Sequence, residues 1–250
     1  MANSPSGDSV VERVVRVLET FTPDRTVQRV SEIGRHAALP SSTAHRLVDE
    51  LVAAGLLERD EEQRVRLGLR LWELALRGST VLRLRQAALP AMERVQAIVR
   101  QHTQLAVLEH DETLFIERLS HPEAGANIAR VAGRLPLHAS SAGLTLLAFA
   151  APEVRDRVLA APLPRLGPRT PTEPEQLRRT LAEIRRTGHV VAPGSVEGVS
   201  TGVAVPVRDA GTVVAAVSVI LPRGADPGPA RAALQAAAGE IEAELRQTRA

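Results

Sequence analysis

The segment Leu39–Gly68, "LPSSTAHRLVDELVAAGLLERDEEQRVRLG", constrains the fold more than any other part of the chain. Leu47, Val48, Leu51 and Val52 recur at helical spacing, Pro40 precedes them, and Gly55 is a natural stop. Ser41 or Ser42 is expected to cap this helix. Its other side shows Ser, Ser, Thr, His and Arg within the first two turns, a display that a helix made only for packing does not need. The residues that follow, "LLERDEEQRVRLG", read as two short strands around an acidic turn.

Upstream, "VVERVVRVLETF" places Val10, Val11, Val14, Val15, Leu18 and Phe21 at helical spacing, with Asp8 or Ser9 as its cap. After the "TPDRT" break, Val27 to Ala37 reads as a second helix with Val30 and Ile33 inward. Helix, helix, turn, helix and hairpin make a winged helix-turn-helix. In such a unit the third helix is shaped for a DNA groove. Small hydroxyls let its N-terminus approach phosphates, its first N–H groups attract anions, and Arg46 can pair with guanine. Arg64 and Arg66 on the wing can reach the flanking backbone. Singly, each feature has a plainer reading, since Ser-Ser-Thr caps helices and an isolated His or Arg is often only solvated. Their combination favours DNA. The alternative is a small-molecule-binding protein that acts through protein contacts, its winged helix being an interaction module.

At 250 residues the chain fits two modest domains, and 44% hydrophobic content suffices for their cores. With 2% aromatic residues those cores must be Leu, Val and Ala, and stacking on exposed bases is not expected. The pI of about 10.5 suggests nucleic acid, yet the net charge is only +2. All 31 basic residues are Arg, and without Lys, Tyr or Cys few groups titrate at alkaline pH, so a small excess of Arg carries the pI upward. DNA binding therefore rests on where the arginines sit. The absence of cysteine removes disulfides, thiolate nucleophiles and Cys-based metal sites. The polar start "MANSPSGDS" and the lack of a long apolar run point to a cytoplasmic protein with a disordered tail over residues 1–7.

The second half changes character. "LRLWELALRGSTVLRLRQAALPAMERVQAIVRQH" continues in helical pattern with breaks at Gly78 and Pro90, Pro90 suiting the first turn of a new helix. "TQLAVLEHDETLFIERLS" alternates, turns at His110 to Glu112, and returns. "VAGRLPLHASSAGLTLLAFA" is a loop entering a very apolar helix, "TPTEPEQLRRTLAEIRRTG" is an amphipathic helix stopped by Gly188, and "GVAVPVRDAGTVVAAVSVIL" is a hairpin before an Ala-rich terminal helix. The expected fold is α+β, with a winged helix-turn-helix over 8–70, a connecting helix over 71–88, and an antiparallel-sheet domain over 89–250.

These residues, from "SEIGRHAALPSSTAHRLVDELVAAGLLERD" through "GRLPLHASSAGLTLLAF" to "VAVPVRDAGTVVAAVSV", resemble the IclR-type bacterial transcriptional regulators over nearly the whole chain. The resemblance implies a winged helix that binds palindromic double-stranded DNA operators and a GAF-like domain that binds a small effector. It also implies homodimers or dimers of dimers, with repression the commoner mode. Carried over by position, DNA contacts fall on Ser41, Ser42, Thr43, His45, Arg46 and Arg66. Ser41 stands where many members have Lys or Arg. Effector contacts fall on Ala132, Gly133, Leu135, Ser141, Ala142, Leu144, Gly202, Ser218 and Ile220. Here the family's Gly-Lys pair reads Gly143-Leu144, its acidic residue after "TGH" becomes Ala192 or Pro193, its Cys becomes Gly202, and its second terminal-strand Ser becomes Ile220. Burying a second carboxylate without partners would be costly, so an effector with one polar or anionic head and an apolar body is expected. His138 is left with two roles, bonding that effector or tying down its loop. No enzyme motif, cofactor or metal site is expected, because the seven His form no ligand pair on a helix and no nucleophile elbow surrounds Ser140 or Ser141.

Overall fold

The structure, a computed structural model, describes residues 8–77, 79–122, 124 and 130–248. The expected tail over 1–7 and the expected break at Gly78 lie outside these. The chain divides into two units, Met1–Ser79 and Thr80–Ala250.

The first unit holds α1 (Val10–Glu19), β1 (Val27–Gln28), α2 (Val30–His36), α3 (Ser41–Ala53), β2 (Leu57–Arg59), β3 (Val65–Leu67) and α4 (Leu69–Leu76). Ser9 and Glu12 close a reciprocal capping box at the start of α1. Val17, Ile33, Leu47, Val48, Leu57 and Val65 form the core. Two expectations change here. Val27 and Gln28 are not helical: they add a third strand to the wing, in the order β1-β3-β2, where β3 supplies partners that an isolated helical turn would lack. On α1 the buried residue is Val17, while Val10, Val11 and Val15 face solvent, because a helix with valine on several sides offers two apolar stripes and this core takes one.

The second unit comprises α5 (Thr80–Val99), β4 (His102–Glu109), β5 (Glu112–Leu119), β6 (Arg134–Pro136), α6 (Ser141–Phe149), α7 (Pro152–Ala160), α8 (Pro174–Thr187), β7 (Val190–Pro193), β8 (Ser200–Asp209), β9 (Thr212–Pro222) and α9 (Gly228–Gln247). Its sheet runs β6-β5-β4-β9-β8-β7 with every pairing antiparallel. Strand alternation sorts the side chains into two cores. Val203, Val205, Val217 and Val219 face α5 and α9, whereas Ala106, Phe115, Ala204 and Ala216 face α6 and α8. Alanines on that second face let α6 approach closely. Buried from Ser141 to Ala148, α6 has no polar stripe to give to water.

The connecting helix expected over 71–88 is two helices. Arg77 takes an extended ψ of 105° and ends α4, and α5 starts afresh at Thr80. Pro90 opens no new helix but lies inside α5, its flanking residues Ala87, Ala88, Ala91 and Met92 being buried in the core, so packing holds the helix across the lost hydrogen bond. Gly188 does stop α8, at a left-handed φ of 73°.

Candidate functional site

The first candidate surface is the start of α3 with the wing. Ser41, Ser42, His45 and Arg46 are exposed and Thr43 is half-buried, while Ala44, Leu47, Val48 and Leu51 hold the opposite side in the core. The expected Ser cap is corrected: Pro40 is the cap residue, Ser41 is already helical, and no side chain caps this end among the described residues. The early N–H groups of α3 therefore remain for an outside acceptor, which a phosphate supplies well.

Each arginine of this surface rests on a carboxylate. Arg46 Nη1 lies 2.9 Å from Glu50 Oε1 one turn along α3. Arg59, which the sequence reading did not select, lies 2.6 Å from Asp49. On the wing, Arg64 pairs with Asp60 at 2.9 Å and Arg66 with Glu58 at 3.0 Å. Glu58 has a second task, accepting the Leu69 N–H at 3.1 Å at the start of α4. That N–H first, and then the Arg66 guanidinium, hold the Glu58 carboxyl below its ordinary range. For Asp60, desolvation pushes upward but is outweighed by the Arg64 N–H and guanidinium, which lower it.

The second candidate is a narrow recess in the second unit, on the α6 side of the sheet. Leu135, Ser141, Ala142, Gly202 and Ile220, selected from sequence, all line it. Register explains the grouping. Gly202 on β8 lies opposite Ile220 on β9 and Ala192 on β7, so the three share one row. Gly202 is required by close approach: a Cβ there would stand 2.4 Å from Ser141 Oγ and 2.9 Å from Ser141 Cβ. The start of α6 thus lies directly over Gly202. Ser140 Oγ accepts the Gly143 N–H at 2.9 Å, and the earlier N–H groups of Ser141 and Ala142 are left facing outward from the helix end. A carboxylate can be met there by two N–H groups, the Ser141 hydroxyl and the helix dipole.

Other selected residues lie elsewhere. Ala132 is exposed and Gly133 half-buried; their strand-like bonds to Phe115, Ala132 N–H to its carbonyl at 2.8 Å and the Phe115 N–H to Gly133 O at 3.0 Å, hold them on the chain leading into β6. His138 is buried with Nε2 2.9 Å from Pro164 O, so it ties its loop to the segment before α8. Leu144 points into the apolar core around α6. Ser218 is fully buried beneath the recess wall, its Oγ 3.4 Å from Gln104 Oε1.

Gln104, Phe115, Ser140, Ser195, Val196, Glu197 and Ser200 complete the wall, and the sequence reading did not select them for it. A signal for Gln104 existed, since it is a polar residue in the α6-facing register of β4, two positions before Ala106. Glu197 gives none: it is a lone acid in the loop "GSVEGVS", brought to the recess by long-range packing. The wall is thus more polar than the sequence implied. Among the described residues no group of His, Cys, Asp and Glu could hold a metal ion, and no helix is long and apolar enough to cross a membrane.

Two family models match the chain: the bacterial transcriptional regulator IclR C-terminal domain over residues 79–242 and the IclR helix-turn-helix domain over residues 10–61. The chain belongs to the IclR family. It is a DNA-binding transcriptional regulator with an effector domain, partnered by DNA and a small molecule, and not an enzyme. Among IclR-family relatives, the HTH-type transcriptional regulator XynR of Escherichia coli K12 is 29% identical over 215 residues, 84% of each chain. The HTH-type transcriptional repressor AllR of the same strain is 28% identical over 222 residues, 85% of this chain and 80% of that one. A crystal structure of an IclR homolog from Microbacterium hydrocarbonoxydans, complexed with 4-hydroxybenzoate, is 64% identical, covers 96% of this chain and all of its own, and superposes with a TM-score of 0.92. An IclR homolog from Microbacterium sp. strain HM58-2 is 62% identical over 96% of this chain and 98% of its own, with a TM-score of 0.65.

Proposed function

We propose that this IclR-family regulator binds a near-palindromic operator as a homodimer, or a dimer of dimers, inside the cell. Ser41, Ser42, Thr43, His45 and Arg46 meet the groove, and Arg64 and Arg66 the flanking phosphates. Its effector is an aromatic or otherwise apolar acid with one anionic head. The observation that carries the effector reading is the start of α6. Outward-facing N–H groups and the Ser141 hydroxyl stand there among Phe115, Leu135, Ala142 and Ile220, a site for one carboxylate beside an apolar body. The 4-hydroxybenzoate held by the homolog 64% identical to this chain supports that chemistry. Val10, Val11 and Val15 on α1 and Trp72 on α4 are exposed, as a second copy would require of its partner surface.

Repression is the mode we infer, in line with the relative named a repressor. Effector binding then weakens operator binding by no more than its differential affinity for two arrangements of the chain, with the segment around Leu71 to Arg85 carrying the difference. Calorimetry on the full chain tests the effector class. Binding of 4-hydroxybenzoate and benzoate is expected to exceed that of glyoxylate, pyruvate and short dicarboxylates. The reverse order removes the reading. Footprinting tests the operator: paired protection on one duplex face is expected, and a single asymmetric half-site counts against the dimer.

A further inference from the structure

Within the recess one polar side chain is bonded at one end only. Gln104 is 2% exposed, lines the recess, and its Nε2 has no hydrogen-bond partner among the described residues. A buried amide left in that state is costly, so it is retained where something else supplies the partner. Its other end is held: Ser218 Oγ donates to Gln104 Oε1 at 3.4 Å from the neighbouring strand, where Gln104 and Ser218 are directly opposed. Exchanging the two ends of the amide would not remove the deficit. Ser218 can donate or accept, so the outward end would then be an unmatched acceptor in place of an unmatched donor.

Gln104 is on β4 and Gly202, beneath Ser141, is on β8, with β9 between them. Two strand spacings separate their backbones by about 10 Å laterally. The apolar surfaces of Phe115, Leu135 and Ile220 belong to the same recess. The recess therefore offers two separated polar stations on one apolar wall, the anion station at the start of α6 and the amide of Gln104.

We infer that Gln104, oriented by Ser218, is a specificity-determining residue that selects effectors carrying a second, uncharged polar group on the apolar body, away from the carboxylate. A ring hydroxyl suits either placement of the amide, because it accepts and donates. The amide carries no charge to neutralise a second carboxylate, so dicarboxylates gain nothing from it. This inference rests on the aromatic-acid reading of the recess, and its test separates the two.

The experiment is calorimetry on the full chain with benzoate, 4-hydroxybenzoate and 4-methylbenzoate, for the wild type and for Gln104→Met, which keeps length and removes the amide. The wild type should bind 4-hydroxybenzoate about two- to tenfold more tightly than 4-methylbenzoate, the range of one ordinary hydrogen bond. Gln104→Met should abolish that ratio while leaving benzoate within about twofold, a change too small for a lost hydrogen bond. Ser218→Ala, which releases the amide, should reduce the ratio without abolishing it. Two results overturn the inference alone: a ratio near one in the wild type, which needs no variant to fold, or an undiminished ratio in a folded Gln104→Met. Failure of all three acids to bind the wild type overturns the aromatic-acid reading and this inference with it.

Discussion

On the DNA-binding unit Arg46, Arg64 and Arg66 stand at the surface, each within 3.0 Å of a carboxylate, whereas in the proposed effector recess Gln104 is buried with its Nε2 unmatched and Glu197 makes no ion pair among the described residues. The first arrangement suits a ligand of many charges. Exposed ion pairs contribute little, so phosphates can displace the carboxylates one by one at small cost, and affinity follows salt. The second suits a small ligand with few polar atoms. There the unmatched group is already desolvated, and each hydrogen bond supplied or withheld changes binding by a distinguishable amount. Under the proposed function the same chain separates affinity by charge from selectivity by satisfaction of buried polar atoms.

The largest expected effect tests whether the recess is as tightly built as this contrast requires. Gly202→Ala puts a Cβ where Ser141 Oγ and Cβ already stand, so α6 or β8 must shift. Thermal unfolding should report a loss of about 1 to 3 kcal/mol, the usual range for overpacking, and effector affinity should fall with it. Wild-type stability and affinity in this variant would mean that the start of α6 is loosely held. Next in size, Arg46→Ala should weaken specific operator binding by about 1 to 3 kcal/mol without unfolding the unit, since its side chain is exposed and its one partner, Glu50, is exposed too. Unchanged binding, with Ser42→Ala and Thr43→Ala also silent, would show that α3 is not the reader.

A smaller effect sharpens the comparison from the acidic side. Glu197→Gln removes a carboxylate from the recess wall and should tighten binding of benzoate-type anions by on the order of threefold, a modest like-charge repulsion in a partly solvated site. Glu50→Gln frees Arg46 on α3 and should strengthen operator binding by less than about 1 kcal/mol, with a steeper salt dependence. If either variant weakens its own ligand, that carboxylate is a contact and the contrast between the two surfaces fails there.

How far these features were legible depends on whether local pattern or distant packing creates them. The third helix, the wing hairpin, the apolar α6 and the β8–β9 hairpin could be read directly, because each has a complete period and its own stop signal. The α1 stripe could not, since Val10, Val11, Val14, Val15 and Val17 give several equivalent faces and only tertiary contact chooses Val17. Neither could β1, β6 and β7, short strands that exist because a partner strand is present. In the recess, Leu135, Ser141, Ala142, Gly202 and Ile220 followed from family resemblance by position. Glu197 did not, and for Gln104 the register marked only its facing, because an unmatched Nε2 and an acid without an ion pair are properties of surroundings rather than of sequence.

The smallest effect concerns pH, and its sign follows from the lowered carboxyls of the wing. Glu58 is held below its ordinary range by the Leu69 N–H and then by Arg66, and Asp60 is lowered by Arg64 against the opposing effect of desolvation. A carboxyl lowered in the folded state contributes stability that is present above its unfolded value, about 4 for Asp and Glu, and is lost as pH falls through the folded value. The DNA-binding unit should therefore weaken on acidification below that point. Both side chains keep contact with solvent, which screens their ion pairs, so the contribution is small. Glu58→Gln keeps an acceptor for the Leu69 N–H while removing the titrating charge, and should flatten the decline. Trp72 on α4, the chain's single tryptophan, lies in the same unit and gives a local unfolding signal. Denaturant curves followed at Trp72 between pH 5 and 3 should converge for the two proteins as pH falls. A gap that stays constant or widens on acidification would mean that Glu58 does not carry the lowered titration.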